Sequence, residues 1–181
     1  MKLIIGLGNS GDKYEGTRHN VGSQLLMQLG SKSEGQSAKS HNLKFQTKSG
    51  LFGEVCKMGE VILARPTTFM NESGKSVGKL VSYYKVKLMD LYMVYDDLDL
   101  RLGEYKIQFG KGPKDHNGVN SVVSSLGTDQ FWHMRIGVDN RNVRERTPGE
   151  EYVLNKFSDQ ETDVLEGVLE RASEELTGVL K

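Results

Sequence analysis

The sequence predicts an α/β layered fold built on a mixed sheet, and three observations carry that expectation. Short apolar runs such as Leu3-Ile4-Ile5 and Leu91-Tyr92-Met93-Val94-Tyr95 read as buried strands. Between them lie stretches with apolar residues at helical spacing, of which Val77, Leu80, Val81 and Tyr84 are typical. Strands alternating with helices favour layers of helix over sheet. Segment 43–65 is the third observation, because it reads as two strands joined by a Gly59-Glu60 turn and so adds antiparallel pairing.

Taken in order, a strand over 3–8 is closed by a glycine turn. A helix over 20–30 follows, with Val21, Leu25, Leu26 and Leu29 on its apolar face, and then a polar loop near 31–41. Strands are expected over 43–57 and 60–65, and a helix over 74–85. The strand 91–95 ends in the acidic run Asp96-Asp97-Leu98-Asp99. A strand over 104–109 leads to a helix over 118–126, carrying Val119, Val122, Val123 and Leu126. Met134-Arg135-Ile136-Gly137-Val138 is the last strand, and an amphipathic helix over 159–180 closes the chain. No internal repeat and no sharp boundary interrupt this pattern, so residues 1–181 are read as a single domain.

With 181 residues the chain can bury a sizeable core. No apolar run approaches the length of a membrane span. The apolar stretch after Lys2 is too short for a signal peptide and runs into Asn9 and Asp12. Cys56 is the only cysteine, which excludes an internal disulfide and suits a reducing, cytoplasmic setting. The zero net charge hides an asymmetry: residues 150–181 hold nine acids and three bases, leaving the remainder at +6. A basic side facing a polyanion and an acidic side facing away would produce that imbalance.

Gly6-x-Gly8-x-x-Gly11 matches the dinucleotide-binding pattern but fails on context. That pattern needs its third glycine to open a helix directly, whereas Gly16 interrupts the residues that follow here. No acid ends a second strand about twenty residues on. A different set stands out at the strand ends: Asn9 and His19 after the first strand, Met70 and Asn71 after the strand near 60–65, Asp96 after the next, and His116-Asn117 opening a helix. In open α/β sheets ligands bind at the carboxyl ends of the strands. There is no seryl nucleophile elbow, and Cys56 is remote from this set, so a covalent intermediate is disfavoured. His19, His116 and Asp96 lack the helical spacing of metal ligands, so no metal is expected. His41 and His133 lie apart from them.

These residues sit in motifs that resemble those of bacterial-type peptidyl-tRNA hydrolases. The resemblance runs through Gly6-Leu7-Gly8-Asn9-Ser10-Gly11, Tyr14, Thr17-Arg18-His19-Asn20 and Gly22. It continues in Pro66 to Gly74, Asp96 to Leu100, His116-Asn117-Gly118, Arg135-Ile136-Gly137 and Tyr152-Val153-Leu154. It implies a three-layer α/β/α domain on a mixed, mostly parallel twisted sheet. It also implies hydrolysis of the ester between a peptide and tRNA, with no cofactor, by a monomer without membrane contact. By the same resemblance His19 is the general base, Asp96 its supporting acid and Asn9 a third catalytic group. Tyr14, Met70, Asn71, His116 and Asn117 would hold the substrate. Lys106, Lys111, Lys114 and Arg135 would meet the tRNA acceptor end, Arg135 as a clamp for its terminal phosphate.

The chain departs from the family pattern at Ser10, Gln108, Asp115, His133 and Val138-Asp139-Asn140. All but Ser10 fall on the expected nucleic-acid side. They keep open an alternative, a catalytically silent RNA-binding adaptor of the same fold.

Overall fold

The computed structural model describes residues 1–32, 44–113, 115–142 and 147–179. Among them seven strands form one sheet. They are β1 (Lys2–Gly6), β2 (Gln46–Lys48), β3 (Gly53–Met58), β4 (Val61–Pro66), β5 (Leu91–Arg101), β6 (Tyr105–Phe109) and β7 (Trp132–Asp139). Their order is β2-β3-β4-β1-β5-β7-β6. β1 pairs in parallel with β4 and β5, and β5 with β7. The pairs β2–β3, β3–β4 and β6–β7 are antiparallel. Five of the seven strands therefore run the same way, so the sheet is mixed and mostly parallel, as expected.

Alternation along the central strands divides the core in two. Ile4 faces the layer of α1 (Val21–Lys32) and α5 (Asp159–Val179), where it meets Leu25, Leu169 and Ala172. Leu3 and Ile5 face the opposite layer, α2 (Ser73–Tyr84) and α3 (Asn117–Leu126), and pack among Val77, Leu80 and Val122. Strands covered on both faces need apolar residues at every position. That is why 3–5 and 91–95 read as unbroken runs. No helix among the described residues is long and apolar enough to cross a membrane.

Three elements differ from the expectation. The strand expected over 43–57 is two, because Ser49-Gly50-Leu51 forms a 3-10 turn and Phe52 takes a left-handed φ of 52°. The residues of β2 are all exposed, so no alternation marked its end. β5 continues to Arg101 instead of ending at its acidic run, because Asp96 and Asp97 find cationic or N–H partners and stay buried in the ladder. The one-turn helix α4 (Gly149–Tyr152) is too short to show a period. The loop expected at 31–41 lies mostly outside the described residues.

Two glycines set the spacing that matters for function. A Cβ on Gly22 would lie 2.1 Å from the Val94 carbonyl oxygen, and one on Gly6 would lie 2.3 Å from that of Gly22. α1 therefore lies backbone to backbone against β1 and β5. This close approach brings the turn just before α1, with His19 in it, down to Asp96 on β5.

Candidate active site

The carboxyl ends of β1, β4 and β5 and the first turn of α3 surround a cleft of about 790 Å³. Asn9, Tyr14, His19, Met70, Asn71, Asp96, His116 and Asn117 all line it, so these sequence-predicted residues converge. Asn9, Tyr14 and His19 come from the β1–α1 connection, Met70 and Asn71 from the β4–α2 connection, Asp96 from β5, and His116 and Asn117 from the start of α3. Parallel pairing of β1, β4 and β5 puts the first three groups at one edge.

At the centre one buried carboxylate serves two imidazoles. Asp96 is 2% exposed. Its Oδ1 and Oδ2 lie 2.9 and 3.0 Å from His19 Nδ1, and its Oδ1 lies 3.0 Å from His116 Nε2. The helix fixes the proton positions. His116 caps α3, its Nδ1 accepting from the backbone N–H of Gly118 (3.1 Å) and Val119 (3.2 Å). A nitrogen that accepts two N–H bonds carries no proton, so the His116 proton is on Nε2 and is donated to Asp96. His19 likewise donates Nδ1–H to the carboxylate, which leaves the lone pair of Nε2 on the cleft side. Burial alone would raise the Asp96 carboxyl. The neighbouring His116 and His19 outweigh it and hold the group well below the usual carboxylate range.

His19, Asp96 and His116 offer potential metal-ligating atoms within 4.8 Å of one another. The bonding pattern does not suit an ion. To ligate through Nε2, His116 would have to move its proton to Nδ1, where two backbone N–H groups already point.

Asn9 is held from three sides. Its Oδ1 accepts from the Met70 N–H at 2.8 Å. Its backbone N–H and C=O exchange bonds with the Asn20 side chain at 2.8 and 3.0 Å. With Oδ1 engaged, the amide NH2 of Asn9 is oriented as a donor. Met70 itself is buried, and its sulfur packs where a Cβ on Gly118 would sit, 2.4 Å away. A side chain at 118 would have to displace Met70 from its contact beside His116 and Leu7. Asn71 and Asn117 are exposed at the rim, and Tyr14 is partly buried beneath Lys13.

The rest of the cleft lining has no role assigned from the sequence, although Phe69, Leu98, Asp99, Val153 and Leu154 fall within the family motifs. Gly149, Glu150 and Pro113 line the cleft as well. Phe69 and Leu154 are about half exposed. Val153 also receives the His19 backbone N–H on its carbonyl at 2.8 Å. Asn20 is a second residue without an assigned role, although its place directly after His19 in the Thr-Arg-His-Asn run was a usable clue.

Of the expected tRNA contacts, Lys106 and Lys111 are exposed and Lys114 lies outside the described residues. His41 also lies outside them. Arg135 is opposite Lys106 across the β6–β7 ladder. It is only 8% exposed, its Nε is bonded to the buried Asp97, and its Nη1 is 3.4 Å from Gln108 Oε1. Its charge is therefore largely neutralised from within. His133 is fully buried, bridging the Tyr95 hydroxyl and the Asp129 carbonyl.

Comparison with known proteins agrees with this geometry. A family model described as "Peptidyl-tRNA hydrolase" matches residues 3–181. A peptidyl-tRNA hydrolase of Haemophilus influenzae is 41% identical over 179 residues, covering 96% of this chain and 87% of that protein. One from Dehalococcoides mccartyi is 38% identical over 188 residues, covering 99% and 93%. The crystal structure of peptidyl-tRNA hydrolase from Acinetobacter baumannii superposes with a TM-score of 0.85 at 28% identity, covering 98% and 87% of the two chains. On sequence and structure together, this chain belongs to the peptidyl-tRNA hydrolase family.

Proposed function

We propose that this protein hydrolyses the ester joining a peptide to the terminal ribose of tRNA and so returns tRNA to translation. It acts as a cytoplasmic monomer, with water activated by His19 and without a metal. The observation that carries this reading is the buried carboxylate gripped by two imidazoles at the base of a carboxamide-lined cleft. His19 Nε2 takes a proton from water as its oxygen adds to the ester carbonyl. Asp96 holds the imidazole in that tautomer and stabilises the imidazolium, as in other carboxylate-backed histidines. The imidazolium then returns the proton to the departing ribose oxygen, giving a free carboxylic acid and a tRNA hydroxyl. His116 keeps Asp96 in place by a bond that cannot reverse.

The amide NH2 of Asn9, oriented by the Met70 N–H, is a fixed donor for the developing oxyanion. Asn71 and Asn117 can each donate and accept, which matches the C=O and N–H of a peptide group beside the ester. Tyr14 and Met70 shape the floor. An aminoacyl-tRNA has a charged amine there instead of an amide and is spared. The acceptor end approaches over Lys106 and Lys111, and Arg135, already paired with Asp97, supports that surface more than it clamps a phosphate. Release of peptide from an N-acyl-aminoacyl-tRNA, with the corresponding aminoacyl-tRNA left intact, tests the reading. Binding of tRNA without any release would favour a silent adaptor.

A further inference from the structure

We infer that Arg18 and Glu161 form a latch that positions His19 for reaction, tying the catalytic turn to the start of the terminal helix. The inference rests on the reading of His19 as the base. Arg18 immediately precedes His19 yet lines no part of the cleft. Its Nη2 meets Glu161 Oε1 and Oε2 at 2.6 and 2.7 Å, with side-chain exposures of 5% and 11%. The guanidinium lies over the rings of Tyr152 (4.2 Å) and Phe157 (4.8 Å). Its Nη1 donates to the carbonyls of Asn155 (3.2 Å) and Lys156 (2.7 Å).

The backbone repeats the same connection. Arg18 N–H donates to the Asn155 carbonyl at 3.1 Å, His19 N–H to that of Val153 at 2.8 Å, and Thr17 bridges Lys156. The segment that seats the base is therefore the segment whose Val153 and Leu154 form the cleft wall. Glu161 has a second task. It belongs to a capping box, Ser158-Asp159-Gln160-Glu161, in which its Oε2 accepts the Ser158 N–H at 2.8 Å and Ser158 Oγ accepts the Glu161 N–H at 3.4 Å. One carboxylate thus fixes both the helix start and Arg18. A planar fork lying over two rings and bonded through both terminal nitrogens holds direction as well as charge, which a lysine cannot reproduce. Small displacements of a reacting group can cost as much as about 100-fold in rate.

The test compares Arg18→Lys, Glu161→Gln, Ser158→Ala and His19→Ala for single-turnover release from N-acyl-aminoacyl-tRNA, tRNA affinity and Tm. The His19 Nδ1–H proton resonance is followed in the first three. Ser158→Ala weakens the cap and leaves the contact to Arg18, so its Tm falls while its rate stays within two-fold. Glu161→Gln and Arg18→Lys lose about ten-fold or more in rate with tRNA affinity kept, and the His19 proton signal shifts or broadens. The latch is overturned if both keep the wild-type rate and signal while His19→Ala is inactive. It is equally overturned if rate merely tracks Tm across the series, Ser158→Ala included. Full activity of His19→Ala would instead strike the base assignment on which the latch depends.

Discussion

Asp96→Asn is the most discriminating substitution in this site, because the structure dictates how the amide must sit. Oδ1 of Asp96 serves both His116 Nε2 and His19 Nδ1, whereas Oδ2 serves His19 alone, at 3.0 Å. If the amide NH2 took the Oδ1 place it would face His116 Nε2–H. That imidazole cannot move its proton, since its Nδ1 is held by two backbone N–H groups. The NH2 therefore takes the Oδ2 place and points at His19 Nδ1. His19 Nδ1 then faces that NH2 at the Oδ2 place and the amide oxygen at the Oδ1 place. Accepting from the NH2 puts its proton on Nε2, where the catalytic lone pair was. Keeping Nδ1–H sets it against the NH2 without the carboxylate charge that stabilises the imidazolium. A positioned base contributes roughly 10²–10⁴-fold, so the loss is about 2.7–5.4 kcal/mol of transition-state stabilisation at 1.36 kcal/mol per decade. Single-turnover hydrolysis should fall by that factor while affinity for deacylated tRNA is kept. A variant within five-fold of wild type would refute the tautomer argument.

Other outcomes follow from the same coordinates. Lys106→Ala and Lys111→Ala should each weaken tRNA binding and reduce the log–log salt slope by about one, and an unchanged slope would remove them from the interface. Burial holds the His133 imidazole below its ordinary value of 6.5, against the opposing bond to Asp129. The unfolded chain therefore binds a proton that the native chain refuses. The stability from this site is complete above pH 6.5 and declines below it, by up to about 1.4 kcal/mol per pH unit. Urea unfolding of wild type and His133→Gln should diverge in slope between pH 7 and 5; parallel curves would contradict this. Gly22→Ala drives a methyl onto the Val94 carbonyl, costing about 1–3 kcal/mol. At this chain length each kcal/mol lowers Tm by about 2–4 °C, and an unchanged Tm would show that α1 can retreat.

Much of the fold was legible because its central strands are covered on both faces. Leu3-Ile4-Ile5 and residues 91–95 have no other reason to be continuously apolar. The site was legible as polar residues at strand ends, and the family motifs assigned them roles. What the sequence hides is pairing. Asp96 and Asp97 read as the end of a strand, since nothing local reveals that His19 and His116 donate to Asp96, and Arg135 pairs with Asp97, within it. Arg135 reads as a free cation for the same reason. The cleft wall at Val153 and Leu154 comes from more than 130 residues beyond His19, and a one-turn helix leaves no period to find it by. Glycine offered a false lead: Gly6, which opens the Gly6-x-Gly8-x-x-Gly11 spacing of a dinucleotide site, serves helix packing against Gly22.

His19→Ala, followed by single-turnover hydrolysis of N-acyl-aminoacyl-tRNA with tRNA affinity measured alongside, addresses the central claim most directly. The hydrolytic rate should fall by at least about 100-fold with binding intact. Hydrolysis at the wild-type rate would contradict it.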